Sequence, residues 1–207
     1  MKTALLAVCL AAALMAGCAR VYVDPVMDLK PREVVGIVEF KLTNQGQLGP
    51  LTTRRFMQAV TEDQPGIRIV ELGTEAQVLA AVGQDRLGPE ALKAIGEKYN
   101  LQTVFLGDVA VSDVKPRIEI GPNLAFASFK ADVDASLSTR LVETGTGATV
   151  WSGSGTDRKT VGEVSVFGSS FAFDARDPEA AYGALVSALV YKATTEFRKT
   201  SHWKCCR

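Results

Sequence analysis

The stretch FKADVDASLSTRLVE, residues 129–143, changes side with every residue. Phe129, Ala131, Val133, Ala135, Leu137 and Leu141 point one way, while Lys130, Asp132, Asp134, Ser136, Ser138 and Arg140 point the other. Strict alternation is the period of an extended chain, and a strand with one dry and one wet face belongs to a sheet that needs cover on one side only. Directly after it, Gly145 and Gly147 supply a turn, and Val150 and Trp151 begin a return strand. The expected unit is an antiparallel hairpin.

Upstream the pattern differs. VVGIVEF (34–40), GIRIVEL (66–72) and QTVFLGDVAV (102–111) are rich in β-branched residues and read as buried strands. Helices separate them. GPLTTRRFMQAVTED (49–63) opens with Gly49-Pro50, and proline suits a first helical turn. Thr74 and Gln77 have capping-box spacing ahead of EAQVLAAVG (75–83), which Gly83 stops. A third helix starts at Gly88-Pro89, sets Leu92, Ile95 and Tyr99 on one face, and ends at Asn100, a residue that tolerates the left-handed cap.

Downstream, VSVFGSSFAF (164–173) reads as one further short apolar strand. Asp177-Pro178 then opens a long helix with Leu185, Leu189, Ala193 and Phe197 at helical spacing. The expected fold class is α/β (α+β): a mixed sheet with strand-helix-strand units, a C-terminal antiparallel hairpin and a long closing helix.

The start of the chain carries a different signal. Lys2, an apolar run over residues 4–13, and small residues at Ala16 and Gly17 form the three parts of a secretory signal peptide. The run is shorter than the roughly 20 apolar residues a membrane-spanning helix needs. The ending AGC, residues 16–18, resembles the lipobox of bacterial lipoproteins, with Met15 where that pattern usually has Leu. The resemblance implies that Cys18 is acylated and becomes the first mature residue, held on the bilayer by its lipid. Ala19 in place of Asp resembles the pattern sorted to the outer membrane, so the expected location is there, facing the periplasm. The resulting division is a signal peptide at 1–17, a lipid anchor and short tether at 18–33, one α/β domain at 34–199 and a flexible tail at 200–207.

Composition excludes some partners. Lys plus Arg and Asp plus Glu both total 23, so no basic excess recommends a nucleic acid. Of four cysteines, Cys9 leaves with the leader and Cys18 takes lipid, which leaves Cys205 and Cys206 side by side. Adjacent cysteines close only a strained ring, so an intermolecular bridge, small-thiol pairing and free thiols all stay open. With His202 they make H-x-x-C-C, which lacks a fourth protein ligand for a soft metal.

Catalytic patterns are hard to assemble. The single histidine, His202, lies in the tail, so no Ser-His-Asp or Cys-His set forms inside the domain. GTGATV (145–150) departs from G-x-G-x-x-G and sits in a hairpin, and SGSG (152–155) lacks the strand-turn-helix context of a nucleophilic serine. Asp132 and Asp134 share a strand face and would suit acid–base work or a hard cation, but Lys130 and Arg140 on that face offer them salt bridges. No cofactor is expected. Phe167, Phe171 and Phe173, at alternate positions, form either a partner-binding edge or plain core. The tail FRKTSHWKCCR (197–207) combines basic and aromatic residues that suit anionic lipid heads.

Three signatures, GEKYNLQTVFLGDV (96–109), RLVETGTGATVWSG (140–153) and DPEAAYGALVSALVYKATTEFRK (177–199), resemble in kind and order the periplasmic domain shared by the curli secretion lipoprotein CsgG and the penicillin-binding-protein activator LpoB. The resemblance implies a non-catalytic binding module that docks on an envelope protein or on copies of itself. Two features depart from it. The tether is short beside that of LpoB, and the alternating strand carries mostly Ala and Val, without the aromatic girdles of a membrane barrel. The expected function is a membrane-anchored binding or assembly module of the cell envelope. A subunit of a CsgG-like channel, using residues 112–174, is the second reading, and an envelope hydrolase is the third.

Overall fold

The computed structural model describes residues 18–43, 45–120, 127–162, 164–167, 170–173 and 175–205. The leader expected at 1–17, and Cys206, lie outside the described residues.

The main sheet has the strand order β5-β2-β6-β7-β8. Its strands are β2 (Val34–Ile37), β5 (Arg68–Glu71), β6 (Thr103–Ile120), β7 (Ala127–Glu143) and β8 (Thr149–Gly162). A two-residue strand, β3 (Lys41–Leu42), also pairs with β6. β5, β2 and β6 run parallel, whereas β6, β7 and β8 are antiparallel, so the α+β class holds.

Helices cover both faces at one end. α1 (Leu48–Glu62) and α4 (Pro178–Ala193) lie on one face; α2 (Glu75–Val82) and α3 (Pro89–Tyr99) lie on the other. The helix signals behave as expected. Thr74 and Gln77 close a reciprocal capping box, Gly83 and Asn100 take the left-handed conformation, and Asp177 accepts from the Ala180 N–H. α4 nevertheless ends at Ala193, and Phe197 falls in a following 3-10 turn while remaining fully buried.

The larger core joins α1 and α4 to the sheet through a run of rings. Phe40, Phe56, Phe105, Trp151 and Phe197 follow one another at centroid separations of 5.1, 5.1, 6.1 and 4.4 Å. α4 comes close enough to β8 that a Cβ at Gly153 would lie 2.3 Å from the Ala193 carbonyl oxygen, and one at Gly155 2.3 Å from that of Leu189. The two glycines are the groove that seats the helix.

Three expectations are corrected. VSVFGSSFAF is two strands, β9 (Val164–Phe167) and β10 (Ser170–Phe173), antiparallel to each other; β10 also pairs with β4 (Gln45–Gly46). The tail is not free: β11 (Thr200–Cys205) pairs with β1 (Cys18–Val23), Cys18 opposite Cys205 and Val23 opposite Thr200. Backbone groups on each segment satisfy the other, which a disordered tail would leave to water. Third, the tether is partly packed. Leu29 is fully buried, and the Gln64 side chain accepts from the Leu29 N–H at 3.2 Å and donates to the Met27 and Phe197 carbonyls at 2.8 and 3.1 Å.

The ribbon therefore roots at one end of the main sheet, beside the C-terminus of α1 and the start of β8, where Trp151 Nε1 donates to Glu196 Oε2 at 2.8 Å. β6 and β7 run from that end toward the opposite one. At roughly 3.3 Å per residue, the 18 residues of β6 span about 60 Å. Among the described residues, no helix is long and apolar enough to cross a membrane.

Candidate binding face

The alternation in residues 129–143 decides which side of the long strands is open. Ala131, Val133, Ala135, Leu137 and Leu141 are buried in the core shared with α4, as expected; the Phe129 side chain lies outside the described residues. On the other side, α2 and α3 cover only the root end, where Val104, Leu106 and Val142 pack. Beyond them the sheet presents polar rows. Asp108, Ser138 and Ser154 stand in register, followed by Ala110, Ser136 and Thr156, then by Lys115, Asp132 and Thr160.

Asp132 sits in the last of these rows and Asp134 in the row before it, opposite Asp113 and Arg158, and each carboxylate is engaged by β8. Thr160 Oγ1 donates to Asp132 Oδ1 at 2.6 Å, and Arg158 holds Asp134 through two contacts of 2.5 Å. These two partners come from β8, because cross-strand neighbours on one face stand close together. A polar cleft of about 450 Å³ opens where the uncovered face meets α2. Glu39, Lys41, Glu75, Asp108, Arg140 and Ser152 line it, and Lys41 Nζ lies 4.0 Å from Glu75 Oε2. Both signs of charge are present, which suits recognition of a polar surface.

β8 forms one boundary of the face. It pairs only with β7, so among the described residues 14 residues of edge have no strand on their outer side. In the middle of it, Lys192 of α4 donates to the Thr156 carbonyl at 2.5 Å and meets Asp157 Oδ1 at 3.0 Å. A lysine placed on an edge discourages indiscriminate strand pairing.

The other candidate residues are dispersed. Phe173 is fully buried, its ring edge-on to Tyr182 at 5.6 Å, so it belongs to the core and offers no partner edge. The backbones of Phe167 and Phe171 lie in β9 and β10; their side chains are outside the described residues. Cys18, His202 and Cys205 lie in the ribbon, far in sequence from the long-strand face. Sequence reasoning missed Gln64, Tyr22, Val23 and Val26. For Tyr22 and Val23 a signal exists: RVYV, residues 20–23, is rich in strand-forming residues.

No family model matches the chain, and no curated protein matches it. Among solved structures it is similar to the PelC dodecamer from Paraburkholderia phytofirmans, at 13% identity over 87% of this chain and 97% of that one, TM-score 0.45. It is similar to the LpoB C-terminal domain from Salmonella enterica, at 16% identity over 66% of this chain and 86% of that one, TM-score 0.41. Lipoprotein GNA1162 from Neisseria meningitidis gives 15% identity over 61% of this chain and 83% of that one, TM-score 0.38.

Proposed function

We propose that this chain is a membrane-anchored lipoprotein of the cell envelope whose domain works as a non-catalytic binding and assembly module. Cys18 carries the acyl chains, and the mature protein stands on the outer membrane facing the periplasm. The leader and the AGC step support the anchor, and Ala19 supports the membrane. The observation that carries the binding role is the polar face of β6, β7 and β8, which among the described residues is uncovered, with the open edge of β8 beside it. A largely polar sheet face needs no cover for stability, and an open edge gives a partner main-chain hydrogen bonds. This working end lies opposite the ribbon that begins at Cys18.

A channel subunit is the second reading, favoured by strand length. β6 and β7 have 18 and 17 residues, against about 9–11 for a strand that crosses a bilayer. It requires an apolar face toward lipid, whereas Ala131, Val133 and Ala135 are packed in the core.

Photo-crosslinkers at Ser136 and Thr160, in intact cells, test the proposal. Capture of a different envelope protein is the expected outcome; capture of this chain alone, as a detergent-stable ring, overturns it in favour of the channel. A hydrolytic activity abolished by Asp134→Asn would remove the non-catalytic assignment.

A further inference from the structure

We infer that the β1–β11 ribbon is itself a membrane-binding element, lying on an anionic lipid surface beside residue 18. The inference rests on the lipid-anchor reading above and adds a second contact to it.

Exposure gives the first argument. Five large apolar side chains are exposed among the described residues: Tyr22 at 68%, Val23 at 42%, Val26 at 83%, Tyr191 at 66% and Val70 at 37%. Three of these are in the ribbon or its root, and Tyr191 joins them, because Arg198, two residues before β11, lies 4.1 Å over its ring. Such a concentration at one end of a molecule marks an interaction surface.

Charge names the occupant. Residues 18–26 and 198–207 contain Arg20, Arg198, Lys199, Lys204 and Arg207 against the single acid Asp24, although the whole chain is neutral. The backbone register sets Arg20 opposite Trp203 and Ala19 opposite Lys204, close to the strand end that begins at Cys18. Aromatic rings and snorkelling cations are the residues that suit the boundary between headgroup and acyl chain. The topology agrees. The ribbon joins neither of the other sheets, and a two-stranded ribbon alone is marginal in water. A lipid surface supplies the missing layer.

The chain's two tryptophans make a test. Trp203 is in β11, and Trp151 is 7% exposed in the core. Acylated protein is placed in vesicles of brominated phosphatidylcholine, with and without phosphatidylglycerol, and the emission is compared with that of Trp203→Phe. The expected result is bromine quenching that vanishes in Trp203→Phe, strengthens with phosphatidylglycerol, and weakens in 1 M salt, where the screening length falls to about 3 Å. Arg20→Glu with Lys204→Glu should reduce the quenching while the protein still floats with the vesicles. Quenching no greater in the wild type than in Trp203→Phe, on protein that floats, overturns the ribbon's role and leaves the anchor standing. Protein that does not float and carries no acyl group at residue 18 overturns both.

Discussion

Gln64 shows how much one side chain decides. It is 2% exposed, just past the C-terminus of α1, and its amide serves three main-chain groups from two other segments. The bonds to the Phe197 carbonyl and from the Leu29 N–H are buried, and the one to the Met27 carbonyl is half-buried. An unmet buried polar group costs about 1–3 kcal/mol, so Gln64→Leu should destabilise the fold by at least about 2 kcal/mol. In urea titration the midpoint should fall with the slope unchanged, and amides 27–29 should exchange faster. Asp132 and Asp134 teach a related lesson. Their shared strand face was legible from alternation, but the identity of their partners was not, because Thr160 and Arg158 arrive from a neighbouring strand 28 and 24 residues away.

At the scale of elements, the contact of α4 with β8 governs the larger core. The helix main chain sits on Gly153 and Gly155, and the exposed side of the same strand contributes to the proposed binding face. Gly155→Ala places a methyl group against the Leu189 carbonyl and should cost about 1–3 kcal/mol, whereas Gly162→Ala, with nothing within 4 Å of the new atom, should stay within about 0.5 kcal/mol. Thermal or urea unfolding of the pair separates a tight helix seat from a general effect of glycine in a strand. Helix boundaries were legible here because caps act over one turn: Thr74 with Gln77, Asn100 with Gly96, Asp177 with Ala180. VSVFGSSFAF was misread because a continuous apolar run does not record where the chain reverses, and its pairing with β4 is long-range.

At the scale of the whole molecule, the ribbon lies at one end and the long strands lead away from it. In the proposed function, this polarity separates the end at the lipid from the end that meets the partner. Deleting residues 200–207 should leave the domain folded, since Phe197 and the ring cluster stay, with a melting temperature within a few degrees of the parent. Residues 18–23 should then lose amide protection in hydrogen exchange, and a crosslinker at Thr160 should still find its partner. Loss of that crosslink would show that the ribbon and the far face are coupled.

The sequence by itself determined what depends on near neighbours: the alternation over residues 129–143, the helix caps, and the turn at Gly145 and Gly147. These signals need only a few residues to state a period or a cap. The tertiary structure alone decided the pairing of β1 with β11, whose side-chain tie from Arg20 to Ser201 spans 181 positions, the Gln64 clamp, the burial of Phe173, and which part of the long strands stays uncovered. Each depends on segments that meet only after the chain has closed on itself, and no local pattern records which distant backbone will satisfy a given hydrogen bond.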